Sequence, residues 1–171
     1  NFRYSFHQII SGMVLLSLLL MAPVSASPGP PSAPAPLSHS GILAEITLSR
    51  DHRDQEDMIK KEIETFSIKR IRLQFVRLGN PPQNIGIGGN VPADVARGVM
   101  HLAIKYNRGI QFLIPESRFV RDYVAVGTSA FDEASQIPVS PEDVDRLLDS
   151  SLTTPEFHGL YQSLTRDDKS Y

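Results

Sequence analysis

Residues 84–114, NIGIGGNVPADVARGVMHLAIKYNRGIQFLI, decide how the rest of the chain is arranged. The pattern is a short strand, a glycine turn, an amphipathic helix and a second apolar strand. Asn90 is placed to cap a helix by accepting from backbone N–H groups one turn on. Pro92, which lacks an N–H, falls in the first turn, where none is needed. Val95, Val99, Leu102, Ala103 and Tyr106 recur at helical spacing and stack on one face, which predicts a buried stripe. Arg97, His101, Lys105 and Arg108 fall largely on other faces, and Gly109 is the residue best able to take the left-handed conformation that ends a helix. Ile110 to Ile114 follow as an apolar run, closed by Pro115.

Upstream, residues 41–48 alternate Ile42, Ala44, Ile46 and Leu48 against Glu45 and Thr47, the period of a half-buried strand. Residues 53–66 are rich in charge, with Ile59, Ile63 and Phe66 at helical spacing, and predict a surface helix with a narrow apolar stripe. Residues 68–78 return to period two, with Ile71, Leu73 and Phe75 sharing a face, and the breaker Gly79-Asn80-Pro81-Pro82 follows. Downstream, residues 123–126 predict a short strand. Ser140-Pro141-Glu142-Asp143 and Thr154-Pro155-Glu156 match the start of a helix: hydroxyl cap, proline, then acids at the positive end of the dipole. Val144, Leu147 and Leu148 line the first of these helices, and Phe157, Leu160, Tyr161 and Leu164 the second.

This order of elements predicts a small α+β domain: a split-βαβ, ferredoxin-like antiparallel sheet with helices on one face and a C-terminal helical pair. The alternative is a three-layer α/β arrangement, favoured if the strands at Asn84 and Ile110 are neighbours joined by a crossover.

The chain is 171 residues long, 41% hydrophobic and without cysteine, which suits one core and excludes disulfides, thiolate metal sites and a cysteine nucleophile. Residues 1–26 have the form of a secretory signal: Arg3, an apolar run from Ile9 to Met21, and Val24-Ser25-Ala26 as a cleavage site. The expectation is therefore a secreted or periplasmic protein. The alternative is a membrane anchor through residues 9–26, an uncharged run close to the lower limit for spanning. Membrane contact is expected only if that segment is retained. Residues 27–40 form a Pro-rich spacer, 41–166 the folded domain and 167–171 a frayed tail. Without residues 1–26 the chain has 16 basic and 19 acidic side chains, a formal charge of −3, so no bulk attraction to nucleic acid is expected.

Gly86, Gly88, Gly89 and Asn90, leading into a helix N-terminus, form a candidate anion-binding turn. The turn is not a dinucleotide fingerprint, because Val91 stands where glycine is needed, nor a P-loop, which ends in Gly-Lys-Ser/Thr. Glu116, Asp132 and Glu133 follow strand ends and are the candidate catalytic carboxylates. Ser129 lacks the second glycine of a nucleophile elbow, and neither His101 nor His158 has a histidine at ligand spacing. His39 and His52 with Asp51, Asp54 and Asp57 are a charged loop, so no metal and no cofactor is expected. Lys69, Arg70, Arg72 and Arg77 make one strand basic, but Phe75 shares the face of Ile71 and Leu73 and belongs to the core.

An export signal and a spacer without a complete catalytic or metal constellation suggest a non-catalytic binding or assembly module of the cell envelope with a protein partner. Its contact surface would be the basic strand and the glycine turn. The alternative is a metal-independent hydrolase that uses the loop carboxylates beside that turn.

Overall fold

A computed structural model describes residues 41–166. The export signal, the spacer and the tail inferred from the sequence lie outside the described residues. In chain order the elements are β1 (Leu43–Leu48), α1 (Glu56–Glu64), β2 (Arg70–Phe75), β3 (Asn84–Ile87), α2 (Ala93–Tyr106), β4 (Phe112–Ile114), β5 (Tyr123–Val126), β6 (Ile137–Pro138), α3 (Pro141–Leu148) and α4 (Thr154–Leu164). The fold is α+β, with the strands in one sheet of order β2-β1-β5-β3-β4-β6.

That sheet is mixed, which corrects the antiparallel split-βαβ expectation. β1 runs parallel to both β2 and β5, and β3 runs parallel to β4. Antiparallel pairing is confined to β3 with β5 and β4 with β6. The physical reason is that α1 and α2 each carry the chain back to the end from which it started, so each βαβ unit closes between parallel neighbours. The strands at Asn84 and Phe112 are therefore adjacent, as the three-layer alternative required, but the helices do not divide between two faces. Ala44, Ile46, Ile85, Ile87, Leu113, Val124 and Val126 share one hydrophobic cluster with residues of all four helices. The residues that alternate with them, among them Leu43, Glu45, Ala125, Gly86 and Ile114, are outside that cluster.

The pairing register explains this division. Ala44, Ile46 and Leu48 lie beside Ile71, Leu73 and Phe75, whereas Glu45 lies beside Arg72 on the opposite face. There the two side chains form an ion pair at 2.8 Å. Over β3 and β5 the opposite face is covered not by a helix but by the loops that flank β5. The Phe119 ring lies over Gly86, where an added Cβ would come within 2.0 Å of it. Phe119 also packs on Tyr123 and Phe131, with ring centroids 5.5 and 5.1 Å apart. Asn84, fully buried, exchanges two hydrogen bonds with the Thr128 backbone and donates to Gln136. Every residue of β3 is accordingly buried.

The predicted stripe of α2 is buried in full: Val95, Val99, Leu102, Ala103 and Tyr106 are each less than 5% exposed. Its ends differ from expectation. The helix begins at Ala93 with Pro92 at the cap, and the Asn90 side chain donates to Asp122 at 3.0 Å instead of capping. At the other end Arg108 already takes the left-handed conformation (φ 61°) before Gly109. Ser140 caps α3 as expected, by accepting from the Asp143 N–H. The cap of α4 is Thr153, one residue earlier than expected, with Glu156 accepting from its N–H at 2.9 Å. β6 and the 3-10 turns at Arg50–Gln55, Glu116–Arg118 and Glu133–Ser135 were not expected from the sequence; they are too short to show a period.

Candidate functional site

The glycine turn is built for close packing. An added Cβ at Gly88 would meet the Val120 carbonyl oxygen at 2.2 Å, and one at Gly89 would meet the Glu116 carboxylate at the same distance. Side chains are therefore excluded because the segment after β4 lies directly on the turn. Most donors an anion would need are already engaged. The N–H of Gly88 donates to Tyr123 O, that of Asn90 to Arg121 O and that of Val91 to Gly88 O. At the start of α2, the Ala93 N–H donates to the Thr154 hydroxyl at 3.1 Å.

Of the three candidate carboxylates, the structure brings only Glu116 to the turn. Its Oε2 accepts from Gln162 at 3.0 Å and lies 3.2 Å from Nδ1 of His158. His158 is 8% exposed, and its Nε2 lies 2.8 Å from the Val91 carbonyl oxygen. A carbonyl only accepts, so Nε2 carries a hydrogen and Nδ1 faces the carboxylate. This chain of contacts runs from the Glu116 carboxylate through the ring to the Val91 carbonyl. It joins α4, the start of α2 and the end of β4. Sequence reasoning passed over His158 because it has no second ligand at i+3 or i+4. The signal was its spacing of three from Tyr161 and seven from Thr165, both of which are buried.

Glu116 also borders a cavity of about 360 Å³ between β4, the 3-10 turn at Glu133–Ser135 and the end of α4. Arg118, Ser135, Gln162 and Arg166 line it, and Arg118 donates to the Ser135 hydroxyl at 2.9 Å. Among the described residues no carboxylate forms an ion pair with Arg118 or Arg166. Asp132 and Glu133 are exposed and are not lining residues of this cavity.

A second region lies at the other end of the sheet. β2 is the edge strand and pairs only with β1. Arg70 donates to the Gly41 carbonyl at 3.2 Å, and Arg72 holds Glu45. Leu43, Arg70, Val120, Asp122 and Tyr123 surround a hollow of about 320 Å³, in which Val120 is 73% exposed. Asp122, which lines this hollow beside Arg70, accepts from the Asn90 side chain of the glycine turn at 3.0 Å. Burial, followed by the neighbouring Glu45 carboxylate, pushes the Tyr123 phenol up to about 12, against a smaller opposing effect of Arg72.

Among the described residues no group of three or more His, Asp or Glu side chains is placed to hold a metal ion. His52 instead packs edge-on against Tyr106, with centroids 5.5 Å apart, and His39 lies outside the described residues. Among the described residues no helix is long and apolar enough to cross a membrane. Comparison with family models, with curated proteins and with solved structures finds no match to this chain.

Proposed function

We propose that the chain is an exported, non-catalytic domain that binds or assembles with a protein partner in the cell envelope, and that it does so along the β2 edge. One observation carries the reading: the edge strand of the sheet has an open backbone side and lies in a segment, residues 68–78, with four basic residues and no acid. An open edge offers N–H and C=O groups to an added strand, and the charge selects an acidic one. The same charge repels the edge of a second copy, so the partner is a different chain. The hollow around Val120 receives side chains flanking the added strand.

The test is capture from envelope fractions by the purified chain and by the triple variant K69E/R70E/R77E. The expected result is a defined partner with an acidic segment, retained by the parent and lost by the variant. A chain that stays monomeric and captures nothing, or a partner held equally by both, defeats the reading.

A metal-independent hydrolase is the second reading, favoured by the placement of Glu116 on the wall of the cavity, with His158 3.2 Å from its carboxylate and Gly89 packed against it. It requires a hydrolytic turnover that E116Q abolishes. Asp132 and Glu133 would be dispensable for it.

A further inference from the structure

We propose that the cavity beside α4 is a binding site for a small polyvalent oxyanion, held between Arg118 and Arg166. The site is independent of the β2 edge, which lies at the opposite end of the sheet order.

The charge balance of the cavity carries the inference. Its charged lining residues are Glu116, Arg118 and Arg166. Glu116 is engaged from behind, its Oε2 lying 3.2 Å from His158 Nδ1 and accepting from Gln162 at 3.0 Å. The lining thus holds two guanidiniums to one carboxylate, and among the described residues no carboxylate forms an ion pair with either arginine. Guanidinium groups present paired N–H donors in a planar fork that matches the two oxygens of a carboxylate or phosphate. Arg118 is already oriented by its bond to Ser135, which leaves its remaining donors free to point elsewhere and reduces the entropy lost when a ligand binds. Ser117 and Ser135 also line the cavity and carry hydroxyls able to donate. A volume of about 360 Å³ is at the small end of ligand pockets, which suits a compact anion with two charged groups.

Calorimetric titration of the purified chain at constant ionic strength tests the site, with succinate and citrate as carboxylate probes and inorganic phosphate and pyrophosphate as phosphate probes. The expected result is saturable one-to-one binding of at least one probe, and the better series identifies the anion class. R118A and R166A should each weaken that binding at least tenfold, and R118K, which keeps the charge but loses the fork, should fall between R118A and the parent. R72A, in the other half of the sheet, should leave it unchanged. Partner capture through β2 should survive R118A/R166A, so the failure of one proposal is distinguishable from the failure of the other. The inference is overturned if no probe binds more tightly than chloride, or if binding persists in the double variant. Both arginines are exposed, and circular dichroism of each variant verifies its fold.

Discussion

The chain builds the same unit twice, and the two copies live in different surroundings. In β1-α1-β2 the sheet is covered on one face only: β2 alternates exposed and half-buried residues, and α1 buries only Ile59 and Ile63. In β3-α2-β4 the sheet is covered on both faces, every residue of β3 is buried, and α2 buries nine of its fourteen residues. The first unit presents an edge to solvent, where it is free to meet a partner. The second is clamped between the helices and the aromatic loop. A substitution of similar size should therefore cost much more in the second unit than in the first.

The largest expected effect is at Gly88. Alanine there brings a Cβ against the carbonyl oxygens of Val120 and Arg121, at 2.2 and 2.7 Å, and backbone cannot move aside cheaply. The G88A variant should lose about 3 kcal/mol of stability, at the upper end of overpacking costs. Its counterpart in the first unit, R72A, removes an exposed ion pair and should cost less than about 1 kcal/mol. Urea midpoints of the two variants measure the contrast, and equal losses would mean that the two units are not differently constrained.

Tyr161 gives a finer version. It is fully buried, and its hydroxyl lies 2.8 Å from the Ile114 carbonyl and 3.2 Å from that of Ile85, so that α4 is pinned to both parallel strands of the second unit. Y161F keeps the packing and removes the hydroxyl, with an expected loss of about 1 kcal/mol. A loss too small to resolve in the same urea midpoints would show that packing alone seats α4.

The contrast between the units also explains what could be read from the sequence. In β1 and β2 one face is wet, so alternation is visible: Glu45 and Arg72 mark the outer face, and Ile46 and Leu73 the inner. The stripe of α2 was visible for the same reason, because Asp94, His101 and Lys105 keep its other side in water. Strand order was not legible. β5 lies between β1 and β3 although it follows both in the chain, and a four-residue apolar strand carries no mark of its neighbours. The role of the glycines was hidden as well, because it depends on Phe119 and Val120, more than thirty residues away. Within the candidate site, Glu116 was visible as a polar residue past a strand end. His158 was not distinguished, because its partners Glu116 and the Val91 carbonyl are joined to it only by the fold.

Glu62 is where the two units meet, since it accepts from Lys105 at 2.8 Å and from the Tyr106 hydroxyl at 2.9 Å. Partial burial pushes its carboxyl up, but the hydrogen bonds from Lys105 and Tyr106, together with the Lys105 charge, outweigh burial and hold it below its ordinary value of 4.5. A depressed carboxyl stabilises the fold above that ordinary value and loses the contribution as pH falls through the lower folded value. The parent should thus be more stable than E62Q near neutral pH by less than about 1 kcal/mol, because the pair is part-exposed. The difference should vanish in acid. A gap between the two denaturation curves that stays constant across that range would show that Glu62 acts through shape and not through charge.

The smallest effect is expected at Tyr123 on β5, which lies beside the open face of the first unit. Its phenol is pushed from 10.0 to about 12, first by burial and then by the Glu45 carboxylate, with Arg72 pulling the other way. A raised phenol means that the folded state holds its proton more tightly than the unfolded chain does. The contribution is complete below about 10 and is lost as pH rises from there toward 12. Ultraviolet absorbance titration follows the phenolate directly. E45Q should bring the Tyr123 midpoint down by removing the adjacent negative charge, and R72Q should push it further up. Because the side chain is partly open to water, both shifts should shrink in high salt if charge is their cause. If E45Q leaves the midpoint where it was, burial under Phe119 alone sets it, and even the exposed half of the sheet is governed by the aromatic loop that clamps the other half.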